Sequence, residues 1–273
     1  MSLFTHIQTF PDSFKIEKSK YLFVDGENLR SIDKRYSALV NNNQPMSNTD
    51  PYGFLHIDIQ KIAQNYKRVF FYDALPENNE EKIKQRQIEF ENLGSIKNFH
   101  VRSGTAKYNK KIGLKQKGVD ILLAIEAYQN AISGNMDVAE IITSDLDFYP
   151  LFSALLQTRV LTHLIHDPKN ISKDLINCAD EASPIDVKKY LSWTNDEFHK
   201  KYTVVNGNQK FDNDNYELVE DVFKDSEHSF KLYRSLSDDM FIGYSEVLTK
   251  SVKSNNKGLV LMLLDEWSGY SPK

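Results

Sequence analysis

YLFVDG, residues 21–26, is the stretch on which the fold turns. An unbroken apolar and aromatic run ends in Asp25 and Gly26, which reads as a strand closed by a turn. Runs of the same kind recur downstream as RVFFYDA (68–74), FHVRSG (99–104), VAEIITSD (138–145) and RVLTHLIHD (159–167). Amphipathic or apolar helical stretches separate them. HIDIQKIAQNY (56–66) has Ile57, Ile59, Ile62, Ala63 and Tyr66 near helical spacing, and NNEEKIKQRQIEFENLG (78–94) is a charged helix stopped by Gly94. GVDILLAIEAYQNAISG (118–134), closed by Gly134, is mostly apolar, and FYPLFSALLQT (148–158) and ISKDLINCAD (171–180) follow. Strands that alternate with helices and carry apolar runs predict an α/β fold: a parallel sheet covered on both faces, with right-handed crossovers.

The flanks of this pattern differ. Residues 1–19 read as a tail or edge element. Residues 34–55, KRYSALVNNNQPMSNTDPYGFL, read as an insertion and a mobile loop, because the middle is rich in Asn, Ser and Pro. Past about residue 195 the alternation stops. NGNQKFDNDNY (206–216) reads as a polar turn or linker, followed by helical stretches around 217–224, 226–251 and 257–267. The expected organisation is one domain over 1–194 and a small, mainly helical C-terminal region over 195–273. No internal repeat is present.

Bulk properties narrow the function classes. The 273-residue chain is 40% hydrophobic and 26% charged, as in an ordinary globular protein with a sizeable core. Its net charge of -4 does not advertise nucleic acid, so any such surface is a local patch. The single Cys178 cannot form an internal disulfide, which fits a reducing compartment; its surroundings read as those of a small buried apolar residue. No run of about twenty apolar residues exists to cross a membrane, and the N-terminus is too polar for a signal peptide. The expected location is cytoplasmic.

In open parallel sheets, ligands bind beyond the carboxyl ends of the strands. Asp25 ends the first strand and Asp73 the second. Asp145 ends the fourth, with Asp147 two residues on, and Asp120 opens the apolar helix at 118–134. Carboxylates converging from different strands suit hard cations such as Mg²⁺ and Mn²⁺, which activate water and neutralise phosphodiester charge. Asn28 could bind a phosphate or orient a carboxylate. No histidine lies beside these acids, which disfavours zinc. Each acid also has a plainer reading: Asp120 and Asp147 as helix-start residues, Asp25 as a turn residue. Glu126, six residues past Asp120 and about 120° round the helix, belongs to a different face.

The basic stretch VRSGTAKYNKKIGLKQKGVD (101–120) runs into Asp120 with no acid before it. Arg102, Lys107, Lys110, Lys111, Lys115 and Lys117 are candidate phosphate contacts, and Tyr108 a candidate stacking residue. A solvated basic loop is the alternative.

VDGENL (24–29), KGVDILLAIEAY (117–128) and TSDLDFYPLF (143–152), in that order, resemble the NYN domain proteins, the LabA-like group of the PIN-like nuclease superfamily. The resemblance covers about 18–190. It implies a three-layer α/β/α PIN-like sheet of strand order 3-2-1-4-5 and an acidic cleft holding Mg²⁺ or Mn²⁺. It also implies cleavage of RNA. Carried over by position, the metal-binding and catalytic acids are Asp25, Asp120, Asp145 and Asp147, with Asn28 as partner. Asp73 rests on the sheet argument alone. Ser144 stands where the family often has Gly, and it joins the candidate RNA contacts. Leu146 replaces a residue that is commonly small and polar. RNA is the implied partner, and self-association a further expectation.

Two other classes stay open on sequence grounds. One is a catalytically silent NYN-fold module that grips RNA or protein. The other is a different enzyme on a similar sheet: a receiver, a haloacid-dehalogenase-like phosphatase or a Toprim-type enzyme, which Asp145-Leu146-Asp147 partly imitates.

Overall fold

Strand β1 (Lys20–Asp25) pairs in parallel on both sides, so it cannot be an edge. The structure, a computed structural model, describes residues 18–41, 53–76, 79–109, 113–207, 215–224, 229–245 and 248–269. After β1 come α1 (Gly26–Val40), α2 (Ile59–Ala63), β2 (Arg68–Asp73), α3 (Glu80–Gly94) and β3 (Phe99–Ser103). A hairpin of β4 (Thr105–Asn109) and β5 (Gly113–Lys117) precedes α4 (Val119–Ile132) and β6 (Val138–Ile142). The chain continues through α5 (Tyr149–Leu155), β7 (Leu161–His166), α6 (Lys173–Asn177), β8 (Glu181–Pro184) and α7 (Val187–Trp193).

The main sheet has the order β3-β2-β1-β6-β7-β8, all pairs parallel. Counting only these strands, the order is 3-2-1-4-5-6: the expected 3-2-1-4-5 with one further edge strand. Successive side chains of a strand point to opposite faces, and β1 shows the result. Leu22 and Val24 join one buried cluster with α1, α2 and α7, while Tyr21 and Phe23 join another with α4, α5 and α6. Two cores on two faces make the three-layer α/β/α arrangement. Among the described residues, no helix is long and apolar enough to cross a membrane.

Two expectations are corrected. Helix α1 continues through Val40, so 34–40 is not loop. Its buried Leu29, Ile32, Tyr36 and Val40 recur at helical spacing and pack on the sheet. Residues 42–52 of the expected mobile loop lie outside the described residues. The C-terminal region is also not mainly helical. After α8 (Asp196–Lys201), the strands β9 (Val204–Gly207), β10 (Tyr216–Lys224), β11 (Ser229–Ser235), β12 (Phe241–Ser245) and β13 (Lys250–Ser254) form an antiparallel sheet of order β10-β11-β12-β13-β9. Only the last expected helix is present, as α9 (Lys257–Trp267). The cause is visible in β10, where two register irregularities interrupt the pairing with β11. Each adds a residue to the period of two, and Leu218, Val219, Val222 and Phe223 then imitate helical spacing.

The first core continues into this region through Phe230, Leu232, Val252 and the buried face of α9. Helix α9 meets α1 closely. Asn256 donates from Nδ2 to the Val40 carbonyl at 2.8 Å and accepts the Leu259 N–H on Oδ1 at 3.0 Å. A Cβ on Gly258 would lie 1.9 Å from the Leu39 carbonyl oxygen, so only glycine fits. Gly258→Ala is expected to destabilise the fold by about 1–3 kcal/mol. Thermal unfolding checks this, and an unchanged melting temperature contradicts the close packing.

Candidate active site

The carboxyl edge of the sheet brings three of the candidate acids to one place. Asp25 is the last residue of β1 and the N-cap of α1. Its Oδ1 accepts the Asn28 N–H at 3.1 Å, and its Oδ2 accepts the Thr143 hydroxyl at 2.9 Å. Thr143 Oγ in turn accepts the Asp145 N–H at 3.2 Å, which ties the ends of β1 and β6 together. Asp145 caps a short 3-10 turn, Leu146–Phe148, by accepting the Asp147 N–H at 3.0 Å. Capping thus falls to Asp25 and Asp145. Asp120 caps nothing, because the N-cap of α4 is Gly118 at φ 96°, without a side-chain hydrogen bond.

Asp25, Asp120 and Asp145 line one open pocket of about 400 Å³, together with Asn28 and Ser144. The pocket also includes Glu27, Ser31 and Asn170, which the motifs did not point to. Glu27 and Ser31 had a signal, since they share the first turns of α1 with Asn28. Asn170 had none, because it arrives from the loop after β7. Among the described residues that line the pocket, none is cationic. Ser144 is buried; its hydroxyl accepts the Asp167 N–H at 2.8 Å and reaches Asn28 Oδ1 at 3.5 Å.

The electrostatics follow from this crowding. Burial first, then the charges of Asp120 and Glu27, push the Asp25 carboxyl up to about 6, against the pull of its two hydrogen bonds. Asp120 is also raised, by burial first and then by Asp145 and Asp147. Asp147 therefore lies within electrostatic range of the cluster, although it lines the neighbouring groove and not this pocket.

Asp73 departs from its expected place. It is buried and accepts from Arg30 Nε at 2.7 Å and from Arg86 Nη1 at 2.6 Å. Arg30 and Arg86 also pair with Glu89, at 2.9 Å and 3.2 Å. This network locks α1 and α3 onto β2, and Asp73 does not line the pocket. Arg102 is likewise engaged, donating to Glu126 Oε1 at 2.8 Å, while Glu126 Oε2 accepts the Tyr72 hydroxyl at 2.6 Å. Glu126 stays off the pocket, as the helical spacing indicated. The basic stretch is a hairpin and not a loop, with Thr105 opposite Lys117 and Lys107 opposite Lys115. Lys110 and Lys111, and the side chains of Lys107, Tyr108, Lys115 and Lys117, lie outside the described residues.

The NYN domain family model matches residues 20–186, which spans β1 to the residue before α7. The chain belongs to the NYN domain family. NYN domains are PIN-like nuclease folds that act on RNA in general, and nucleases of this kind generally use divalent metals. No curated protein matches the chain. A crystal structure of a protein of unknown function from Vibrio parahaemolyticus is 19% identical, covering 65% of this chain and 97% of its own, with a TM-score of 0.46. Plasmodium falciparum PdxK, crystallised with AMP-PNP and PL, is 12% identical over 64% of this chain and 72% of its own, with a TM-score of 0.23. Both scores are below 0.5, so the family assignment rests on the family model.

The donors around this NYN pocket suit a divalent ion. Every polar side-chain donor there is a carboxylate, amide or hydroxyl, which matches a hard cation that retains water. Among the described residues, no three His, Cys, Asp or Glu close on a single point.

The raised Asp25 carboxyl binds its proton more tightly in the folded than in the unfolded chain. It therefore removes stability as pH rises from about 4 to 6, and the full cost persists above that. In EDTA at pH 7, Asp25→Asn is expected to raise stability by about 1–3 kcal/mol, and the gain should vanish below pH 4. Melting curves across that range check the sign. Asp73→Ala leaves the buried Arg30 and the half-buried Arg86 short of their shared carboxylate and is expected to cost about 3–5 kcal/mol. Denaturant titration measures it, and a loss under 1 kcal/mol contradicts the network's role.

Proposed function

We propose that this protein is a metal-dependent endoribonuclease that hydrolyses RNA phosphodiester bonds at the acidic pocket with Mg²⁺ or Mn²⁺. The observation that carries the reading is Asp25, Glu27, Asp120 and Asp145 around one open pocket with no cationic residue among its described lining. Such a pocket repels a phosphate unless a cation offsets the charge, and Asp25 already resists ionisation there.

Asp25, Asp120 and Asp145 would hold the ion, and Asp147 would act through water from the far side of the 3-10 turn. A bound divalent ion supplies charge neutralisation at the phosphate and lowers the pKa of water. The protein's own groups do the rest. Thr143 fixes the Asp25 carboxylate and the Asp145 backbone together. The Asn28 amide, 3.5 Å from the Ser144 hydroxyl in the pocket lining, would orient a phosphate oxygen. Asp120, raised by burial and by its acidic neighbours, would gain from a cation held beside it. The 105–117 hairpin, running into Asp120, would hold the RNA backbone through its lysines.

A second reading, a catalytically silent RNA- or protein-binding module, is favoured by one observation: among the described residues, no three acids lie close enough to hold one ion directly. Cleavage of labelled single-stranded RNA separates the two. Wild type should cut with Mn²⁺ and not in EDTA, and Asp120→Asn and Asp145→Asn should each lower the rate on the order of 100-fold or more. Equal cleavage by wild type and variants sinks the assignment of the site. Binding without cleavage under any divalent ion supports the silent module.

A further inference from the structure

A second, larger opening lies across the Leu146–Phe148 turn from the acidic pocket, between α5 and α6. Its volume is about 1010 Å³, at the upper end for small-molecule sites. Leu146 lines both openings, so they adjoin at this turn, with Asp145 on the pocket side and Asp147 on the groove side. We propose that this groove takes an unpaired nucleobase of the strand whose backbone lies at the acidic pocket, and that it favours bases bearing an amino group. The proposal rests on the RNA reading above and narrows it to single-stranded substrate.

The lining matches a base and opposes a phosphate. Leu146, Tyr149 and Leu156 leave 46%, 45% and 44% of their surfaces in solvent along this one groove. A phenol ring exposed beside two aliphatic side chains is a stacking platform for a flat heterocycle. The groove's described lining includes no lysine or arginine, while Asp147 and Asp174 both contribute charge. A phosphate is repelled there, whereas a neutral base is not. Asn177 and Gln157 bring amides that can meet either edge polarity. Asp174 lies in the first turn of α6 and is exposed, so its carboxylate is available to accept. It can accept from the amino group of cytosine, adenine or guanine, but it faces repulsion from the carbonyl at the same position of uracil. A base within a duplex has both faces stacked and its pairing edge occupied, so only an unpaired base can enter.

Fluorescence anisotropy with short labelled oligocytidine, oligouridine and duplex RNA tests this. Ca²⁺ would be present and RNA integrity checked on a gel. Oligocytidine should bind about tenfold more tightly than oligouridine. Tyr149→Ala should weaken both single strands about tenfold, while Tyr149→Phe, which keeps the ring, should stay within twofold of wild type. Asp174→Ala should bring the two oligomers within twofold of each other. Duplex binding should respond to none of these changes. Unchanged melting temperatures show that the surface variants fold. Tyr149→Ala affinities within twofold of wild type, or a cytidine preference that survives Asp174→Ala, overturn the groove. The cleavage assay separates the two readings. Tyr149-dependent binding without cleavage keeps the groove and sinks the nuclease. Cleavage with the same KM in wild type and Tyr149→Ala keeps the nuclease and sinks the groove.

Discussion

Like charges at a sheet edge repel, and the site must hold several of them in place before any ligand arrives. The clamp on Asp25 does this. Its two carboxylate oxygens are taken by the Asn28 N–H and the Thr143 hydroxyl, and Thr143 also takes the Asp145 N–H. One threonine, fully buried at the end of β6, thus joins the two acids that end neighbouring strands. The clamp fixes the start of α1, the exit of β6 and the turn that separates pocket from groove. It does not cancel the cost of burial, because Asp25 remains raised to about 6. That uncompensated cost is the kind a functional site carries, since stability and activity commonly oppose each other there, and it accords with the cation proposed above.

Beneath the clamp, the two cores and the ion-pair network set how firmly the edge is held. Asp73, Arg30, Arg86 and Glu89 form a cluster of alternating charge, buried at Asp73 and Arg30, that pins α1 to β2 and α3. Gly26 belongs to the same corner. A Cβ there would sit 2.7 Å from the Tyr72 carbonyl oxygen, so the turn from β1 into α1 presses on β2. The glycine after Asp25 is thus a packing requirement of the strand-to-helix turn. The C-terminal region reaches the edge as well. Lys169 pairs with Asp265 of α9, and the Val187 N–H donates to Glu266 at 2.7 Å. The loop that delivers Asn170 to the pocket is therefore braced by the last helix of the chain.

Much of this is legible in the residues alone. The apolar runs ending in Asp25, Asp73 and Asp145 place strands and their carboxyl ends, because a strand's period and length are local properties of the chain. Three of the acids then meet around one pocket. The same logic misplaces Asp73: strand-end position does not reveal that two arginines, from α1 and α3, claim the carboxylate. It also misses Asn170 and the linking role of Thr143, because both act through contacts between segments far apart in sequence. In the C-terminal sheet, β10 is hidden by its bulges, which depend on the partner strand and cannot be seen from one strand alone.

Residue type and short spacing are enough for the α/β alternation, the family motifs and the identity of the acids. Which acids share a pocket, and which is spent in an ion-pair network, is settled only in the folded chain. The fold likewise puts Asp147 on the groove side of the turn while Asp145 stays with Asp25. The physical reason is that charges act through space. Asp25 and Asp120 stand 95 positions apart in the chain, yet Asp120 raises the cost of ionising Asp25 because the end of β1 and the start of α4 meet at the same edge.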